Sequence, residues 1–304
     1  MRNKNMSRKI MVKDILCFLK GKGIRFEYLG EHNLYITSFS SLNYIKNNSV
    51  VWVKDVSNYN INQITEKVLI VANTRERAYP NHNFIVCENS KMVFFEILNE
   101  FFYDKPLQRI CSDAIVETKH IGKNVSIGHN CFIGEDVILK DGVIIKNNVQ
   151  IECPTVVGEN TVIGSGVVIG TDGFGYYEDS KGYYKKVPHF GGVQIGKCVE
   201  IGANSCIDRG TIEDTRIEDN VKIDNLCHIA HNVHIGENSL VIALSLLGGS
   251  CDLKKNSYIA PGCLIKNQVK IGENSFVGMG SVVLKDVDDK KTVVGVPAKI
   301  LRDN

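Results

Sequence analysis

The residues of this chain best suited to chemistry lie in IDNLCHIAHNVHIG, where His228, His231 and His234 recur at a spacing of three. Three imidazoles at short intervals have the look of a metal-ligand set, whereas one imidazole with a carboxylate partner is a general base, because the carboxylate fixes its tautomer and raises its basicity. Asp224 stands seven residues before His231, and Gly249 stands eighteen after it. A preorganised backbone N–H at such a glycine stabilises an oxyanion, so the three together are a candidate catalytic set. Which of the two readings holds depends on the elements that carry these residues.

Those elements are set by a repeat. From about Ile115 to Leu284 an aliphatic residue opens almost every unit of six, as in IGKNVS, IGHNCF, IGEDVI, LKDGVI and later IGENSL and IGENSF. A period of six fits neither an amphipathic helix nor a hairpin meander; it means one short strand and one corner per unit, three units to a coil. The expected fold is therefore mainly β, a parallel β-helix of roughly eight coils whose opening Ile, Val and Leu stack in columns. Position two is often Gly (Gly128, Gly236) and position four often Asn (Asn130, Asn238), types that tolerate positive φ at a corner. Position five is small (Val125, Cys131, Val137, Cys227, Cys251, Cys263) and suits a second inward site.

This geometry decides between the two readings. Six residues carry the chain a third of the way around the prism, so His228 and His234 fall on different faces and no three-histidine site forms within one chain. No metal is expected. Eighteen residues make one coil, so Gly249 stacks on His231, and Asp224 is expected near the preceding corner as its orienting carboxylate.

A periodic scaffold places function at its interruptions. The larger follows Gly170, TDGFGYYEDSKGYYKKVPHFGG, about twenty residues beyond the repeat. It concentrates Phe174, Tyr176, Tyr177, Tyr183, Tyr184 and Phe190 with Lys185, Lys186 and His189. Exposed rings in that density call for a ligand, a neighbouring subunit, or both. A smaller break of about four residues, at Gly210 to Arg216, is expected to bulge one corner.

At 304 residues the chain divides into residues 1–106, a small α/β domain without the hexad, 107–288, the β-helix, and 289–304, a short C-terminal tail. In the first, VKDILCFLKGKG and KMVFFEILNEFFYD read as helices, and LYITSF, VVWV, KVLIVA and NFIVCE as strands. A net charge of +2 offers no field for nucleic acid, and no apolar run approaches a membrane span. Lys13 and Asp14 interrupt the first apolar stretch, against a signal peptide. The ten cysteines form no CxxC, and several occupy the small inward slot, as expected of reduced core thiols in a cytoplasmic protein.

The segments DGFGYYEDSKGYYKKVPHFGGVQIG, VEIGANSCIDRG and DTRIEDNVKIDNLCHIAHNVHIGEN closely resemble the signature of the UDP-3-O-acylglucosamine N-acyltransferase family. The resemblance implies a left-handed β-helix, a homotrimer with active sites between subunits, and acyl transfer to the amine of a nucleotide-linked sugar. It also implies His231 as general base, Asp224 as its orienting partner and Gly249 as oxyanion donor, with no bound cofactor. Candidate substrate contacts are Phe174, Lys186, His189, Asn225 and Gln268, joined in the N-terminal domain by Trp52, Asp55 and Tyr59, which align with the region holding the base. Asp55 replaces the family's usual Asn, losing a donor for uracil and gaining acceptors that suit guanine, which leaves the base open. Gln268 replaces a second histidine and cannot shuttle a proton. The family's helical extension for acyl carrier protein is not matched, since VVGVPAKILRDN resembles the ends of acetyl-CoA-dependent hexapeptide transferases; the donor is coenzyme A or acyl carrier protein. Two other classes share the scaffold, a trimeric zinc carbonic anhydrase and a non-catalytic binding scaffold.

Overall fold

The computed structural model describes residues 9–54, 64–73, 83–103, 108–152 and 154–303. The chain separates into two compact units, Met1–Pro106 and Leu107–Asn304. In the first, a parallel run of strands at Ser38–Phe39, Ser49–Val53, Val68–Ala72 and Asn83–Val86 is closed by the antiparallel strand Glu27–Leu29. The helices are Val12–Gly21 and Ser90–Phe101. Gly23, at φ 70°, ends the first by donating its N–H to Lys20 O, and Asn89 caps the second by accepting from Met92 N.

The second unit is the expected left-handed parallel β-helix, three parallel sheets of eight, nine and ten strands, the tenth being an antiparallel addition. Ser126 pairs with Ile144 and His228 with Leu246, each eighteen residues on. The inserts shift this register without breaking it: Val162 pairs with Glu200, 38 residues on, and Cys206 with His228, 22 residues on. These offsets exceed a coil by twenty and four, the lengths of the two breaks in the hexad. Opening residues such as Ile133, Ile151, Ile169, Ile207, Ile229 and Leu247 are wholly buried in one column, and position five supplies further buried columns, Cys131, Cys227 and Cys263 on one face and Val137 and Cys251 on another.

Two local expectations are refined. Asn130 and Asn238 do take positive φ, at 53° and 59°, but Gly128 and Gly236 do not. Their role is close approach: a Cβ at Gly128 would sit 2.4 Å from Asn147 Oδ1, and one at Gly236 would sit 2.6 Å from Lys255 N. Residues 289–304, expected as a tail, instead continue the scaffold, with Lys291–Gly295 joining the ten-stranded sheet and Ala298–Asp303 folding back on it antiparallel. Because each buried column depends on uninterrupted aliphatic stacking, Ile229→Ala should cost about 2–5 kcal/mol in chemical denaturation. A cost below about 1 kcal/mol would mean that the coil collapses around the void.

Candidate active site

His231 occupies the third position of its hexad, at the corner between His228–Ile229 and His234–Ile235. At several other corners this position carries a cap. The third-position N–H of Lys123, His129 and Ala203 is bonded by the side-chain oxygen of Asp141, Asn147 and Asn225 one coil on, at 2.7, 2.9 and 2.7 Å. Above His231 the equivalent residue is Gly249, which has no side chain, and the imidazole fills the space. A Cβ at Gly249 would lie 2.7 Å from His231 Nε2, and Ser250 N donates to His231 O at 2.9 Å, fastening the two coils. Among the described residues the Gly249 N–H donates to no acceptor.

The two breaks of the repeat both close on this ring. From the larger, Gly173 also presses on the ring, where a Cβ would be 2.7 Å from His231 Cδ2, and His189 meets the imidazole edge-on, with ring centroids 5.4 Å apart. His189 is buried, 6% exposed; its Nδ1 lies 2.9 Å from Val187 O, which fixes the proton there, and its Nε2 has no partner among the described residues. From the smaller break comes Thr211, whose hydroxyl lies 3.5 Å from His231 Nδ1. Asn232 holds that threonine through Oδ1 to Thr211 N (2.7 Å) and Nδ2 to Thr211 Oγ1 (3.2 Å), and its Nδ2 lies 3.2 Å from His231 Nδ1. Partial burial lowers the His231 pKa below the usual 6.5, with the charge of His189 acting in the same direction.

The larger break is a hairpin, Tyr176–Glu178 against Tyr184–Lys186. Its base is tied by Lys186 to Asp172 at 2.6 Å, which raises the ammonium pKa and lowers that of the carboxyl, and by Arg209 Nε to Gly191 O at 2.7 Å. Phe174 is 87% exposed and leans on Tyr176, 5.0 Å between centroids.

Asp224 is not the partner of His231 within the chain. It follows Ile223 in a different sheet, and its carboxylate accepts from Asn225 N, Asn225 Nδ2 and Ala243 N at 2.8, 2.9 and 3.3 Å. Asn225 is itself a corner cap. Gln268 is exposed in the neighbouring column, two coils on from Asn232, at φ 64°, and donates its N–H to Gly249 O. His228 faces Asp208 at 3.6 Å, and His234 faces Asp252 and Glu218, so the three histidines do not converge. Burial raises the Asp208 pKa against the pull of His228 and His189. In the N-terminal unit Trp52 donates Nε1–H to Ser90 Oγ at 3.0 Å and lines a cavity of about 500 Å³ with Phe39, Ser40, Phe94 and Phe95. Asp55 and Tyr59 lie outside the described residues. Sequence reasoning missed Gly173, Thr211 and Asn232. The first two lay in the repeat's own breaks, while Asn232 is one corner asparagine among many and carried no signal.

These features are those of a hexapeptide-repeat β-helix. Residues 214–249 match the family model "Bacterial transferase hexapeptide (six repeats)", and 121–153 and 154–172 match "Hexapeptide repeat of succinyl-transferase". Within that class the chain is a relative of the UDP-3-O-acylglucosamine N-acyltransferases. It is 46% identical over 132 residues to UDP-3-O-acylglucosamine N-acyltransferase 2 of Legionella pneumophila, a match covering 43% of this chain and 38% of that one. The UDP-3-O-acylglucosamine N-acyltransferase of Desulfotalea psychrophila gives the same identity, length and coverage. The chain thus spans about two fifths of the length of the curated relatives it matches, 38% in both cases. The solved UDP-N-acetylglucosamine acyltransferase from Campylobacter jejuni is 25% identical, with a TM-score of 0.58 over 64% of this chain and 75% of that one.

With two glycines against the imidazole, Gly173→Ala and Gly249→Ala should each displace His231 and cut turnover about 100-fold, as a misplacement of about 1 Å does, while circular dichroism stays unchanged. Full activity in both would show that the ring position is irrelevant.

Proposed function

We propose that this protein transfers an acyl group from a thioester to the amine of a nucleotide-linked amino sugar, a UDP-3-O-acylglucosamine in the reading that its relatives' names support. The observation that carries this is the pairing of His231 Nε2 with Gly249, a base nitrogen packed against a backbone whose N–H is unspent. The amine nitrogen attacks the thioester carbonyl carbon and passes its proton to Nε2. The oxyanion takes the Gly249 N–H, an interaction worth about 3–4 kcal/mol in such sites. The C–S bond then breaks, the amide C–N bond remains, and His231 returns the proton to the departing thiolate. For Nε2 to be free, Nδ1 must carry the hydrogen, donating to Thr211 Oγ1 at 3.5 Å in place of the Asn232 Nδ2–H contact that the other tautomer accepts.

His189 packs against the base, and we assign Phe174, Lys186 and Gln268 as substrate contacts. Trp52 and its cavity suit the nucleotide base. We assign the exposed rings of the hairpin to a neighbouring subunit of a homotrimer, with Asp224 and Asn225 offered toward a site shared between chains. The donor is acyl-CoA or acyl carrier protein, and the compartment is the cytoplasm. No helix of the described residues is long and apolar enough to cross a membrane, and the nine described cysteines are free thiols.

Free-thiol release tests the reading, crossing acetyl-CoA and a 3-hydroxyacyl carrier protein against UDP-, GDP- and dTDP-linked amino sugars. Turnover with any pair supports it, and His231→Ala should lower that rate about 10²–10⁴-fold. No release with any pair, or a rate untouched by His231→Ala, sinks it. Because the His231 pKa is lowered, the free base already predominates at neutral pH. The rate should therefore be flat above pH about 6.5 and fall only as acid protonates the ring. A rate still climbing through pH 7–8 would contradict that assignment.

A further inference from the structure

The buried thiols of the β-helix obey a rule. Cys131, Cys227, Cys251 and Cys263 each donate Sγ–H to the carbonyl fifteen residues on: Lys146 O at 3.0 Å, Ile242 O at 3.4 Å, Lys266 O at 3.0 Å and Gly278 O at 3.2 Å. Cys111 departs from it. It is 7% exposed, yet among the described residues its thiol has no hydrogen-bond partner. What its sulfur meets is a preformed pair, since Cys111 Sγ, an Asp113 carboxylate oxygen and a His129 ring nitrogen all lie within 4.8 Å of one another. The imidazole and carboxylate already hold each other, His129 Nδ1 being 2.9 and 3.1 Å from the two Asp113 oxygens.

The backbone brings the three together. Cys111 N donates to Ile127 O at 3.0 Å, laying Cys111-Ser-Asp113 along the coil that carries His129, and Ala114 N donates back to Cys111 O at 3.1 Å to turn the chain. We propose that Cys111, Asp113 and His129 bind a zinc ion, with water as fourth ligand, which clamps the first coil of the β-helix to the next. A thiolate, an imidazole and a carboxylate are the donors zinc prefers, whereas magnesium and calcium take oxygen alone. Bond lengths of about 2.3 Å to sulfur and 2.0–2.1 Å to nitrogen require the ligand atoms to close in modestly. His129 and Asp113 are half exposed, with 54% and 43% of their side-chain surface accessible, so rotation about their own χ angles can supply this. The Cys111 thiol proton leaves to solvent on binding. The site is distinct from His231: in the nine-stranded sheet Phe132–Ile133 lies four rungs from His228–Ile229, about 19 Å at strand spacing. It also stands whether or not the proposed acyl transfer does.

The test uses the full chain, purified and kept reduced, with elemental analysis for zinc and a cobalt(II) titration followed by absorbance. The expected result is one equivalent of metal and a thiolate-to-cobalt charge-transfer band. Cys111→Ser should abolish the band, and Asp113→Asn and His129→Ala should each weaken affinity by at least about tenfold, since even outer-shell partners are worth that much. Cys131→Ser, whose sulfur is committed to Lys146, should bind as wild type does. Circular dichroism separates lost binding from lost folding, and Asp113→Asn keeps the side-chain shape should the cysteine variant fail to fold. A reduced protein that takes up no metal overturns the proposal, as does binding that survives both Cys111→Ser and His129→Ala.

Discussion

The structure rests on the hydrogen-bond ladder from each coil to the next. Ser126 N reaches Val143 O, His228 N reaches Ser245 O and Leu246 N reaches Cys263 O, each seventeen residues on. Once that spacing is imposed, residues at the same hexad position stack in one column, and every column acquires one chemical character. The aliphatic column is apolar because its neighbours above and below are its whole environment. The corner column is Asn and Asp because each coil leaves N–H groups that only the next can satisfy. The fold is thus less a set of elements packed on a core than one contact type repeated along an axis.

Within such a lattice a departure in one column becomes a site. The absent side chain at Gly249 removes the cap that Asn147 or Asn225 provides elsewhere and admits the imidazole of His231 in its place. The inserts then converge on that vacancy from outside, one bringing Gly173 and His189 and the other Thr211. Neither changes the phase of the ladder, since the register offsets at Val162 and Cys206 absorb them whole. The rigid columns supply precision, and the inserts supply groups that no hexad position could.

The same logic separates the histidines. His228, His231 and His234 are neighbours in sequence, but the corners deal them to different environments: carboxylates for His228 and His234, and a wall of glycine, imidazole and amide for His231. The carboxylate neighbours hold their rings on the surface. The enclosure of His231 lowers its proton affinity, which is consistent with the general base proposed for it.

The sequence by itself determined the scaffold and the address of the site. Period six dictates strand, corner and coil because it is a local pattern repeated through the chain, and the lengths of the two breaks are readable as residues that do not fit it. The stacking of Gly249 on His231 follows from the same count. Which side chain attends the histidine was decided only in three dimensions. Asp224 was the natural partner by spacing, but a separation of seven carries the chain around a corner into another sheet, where Asn225 and Ala243 take its oxygens. Thr211 and His189 come to His231 from twenty and forty-two residues away because irregular inserts bend back over the corner, and no periodicity describes where an aperiodic segment ends. Local repetition is legible in sequence because each residue's environment is a copy of its neighbour's; a contact across an insert is not, because its geometry is set by the whole chain between.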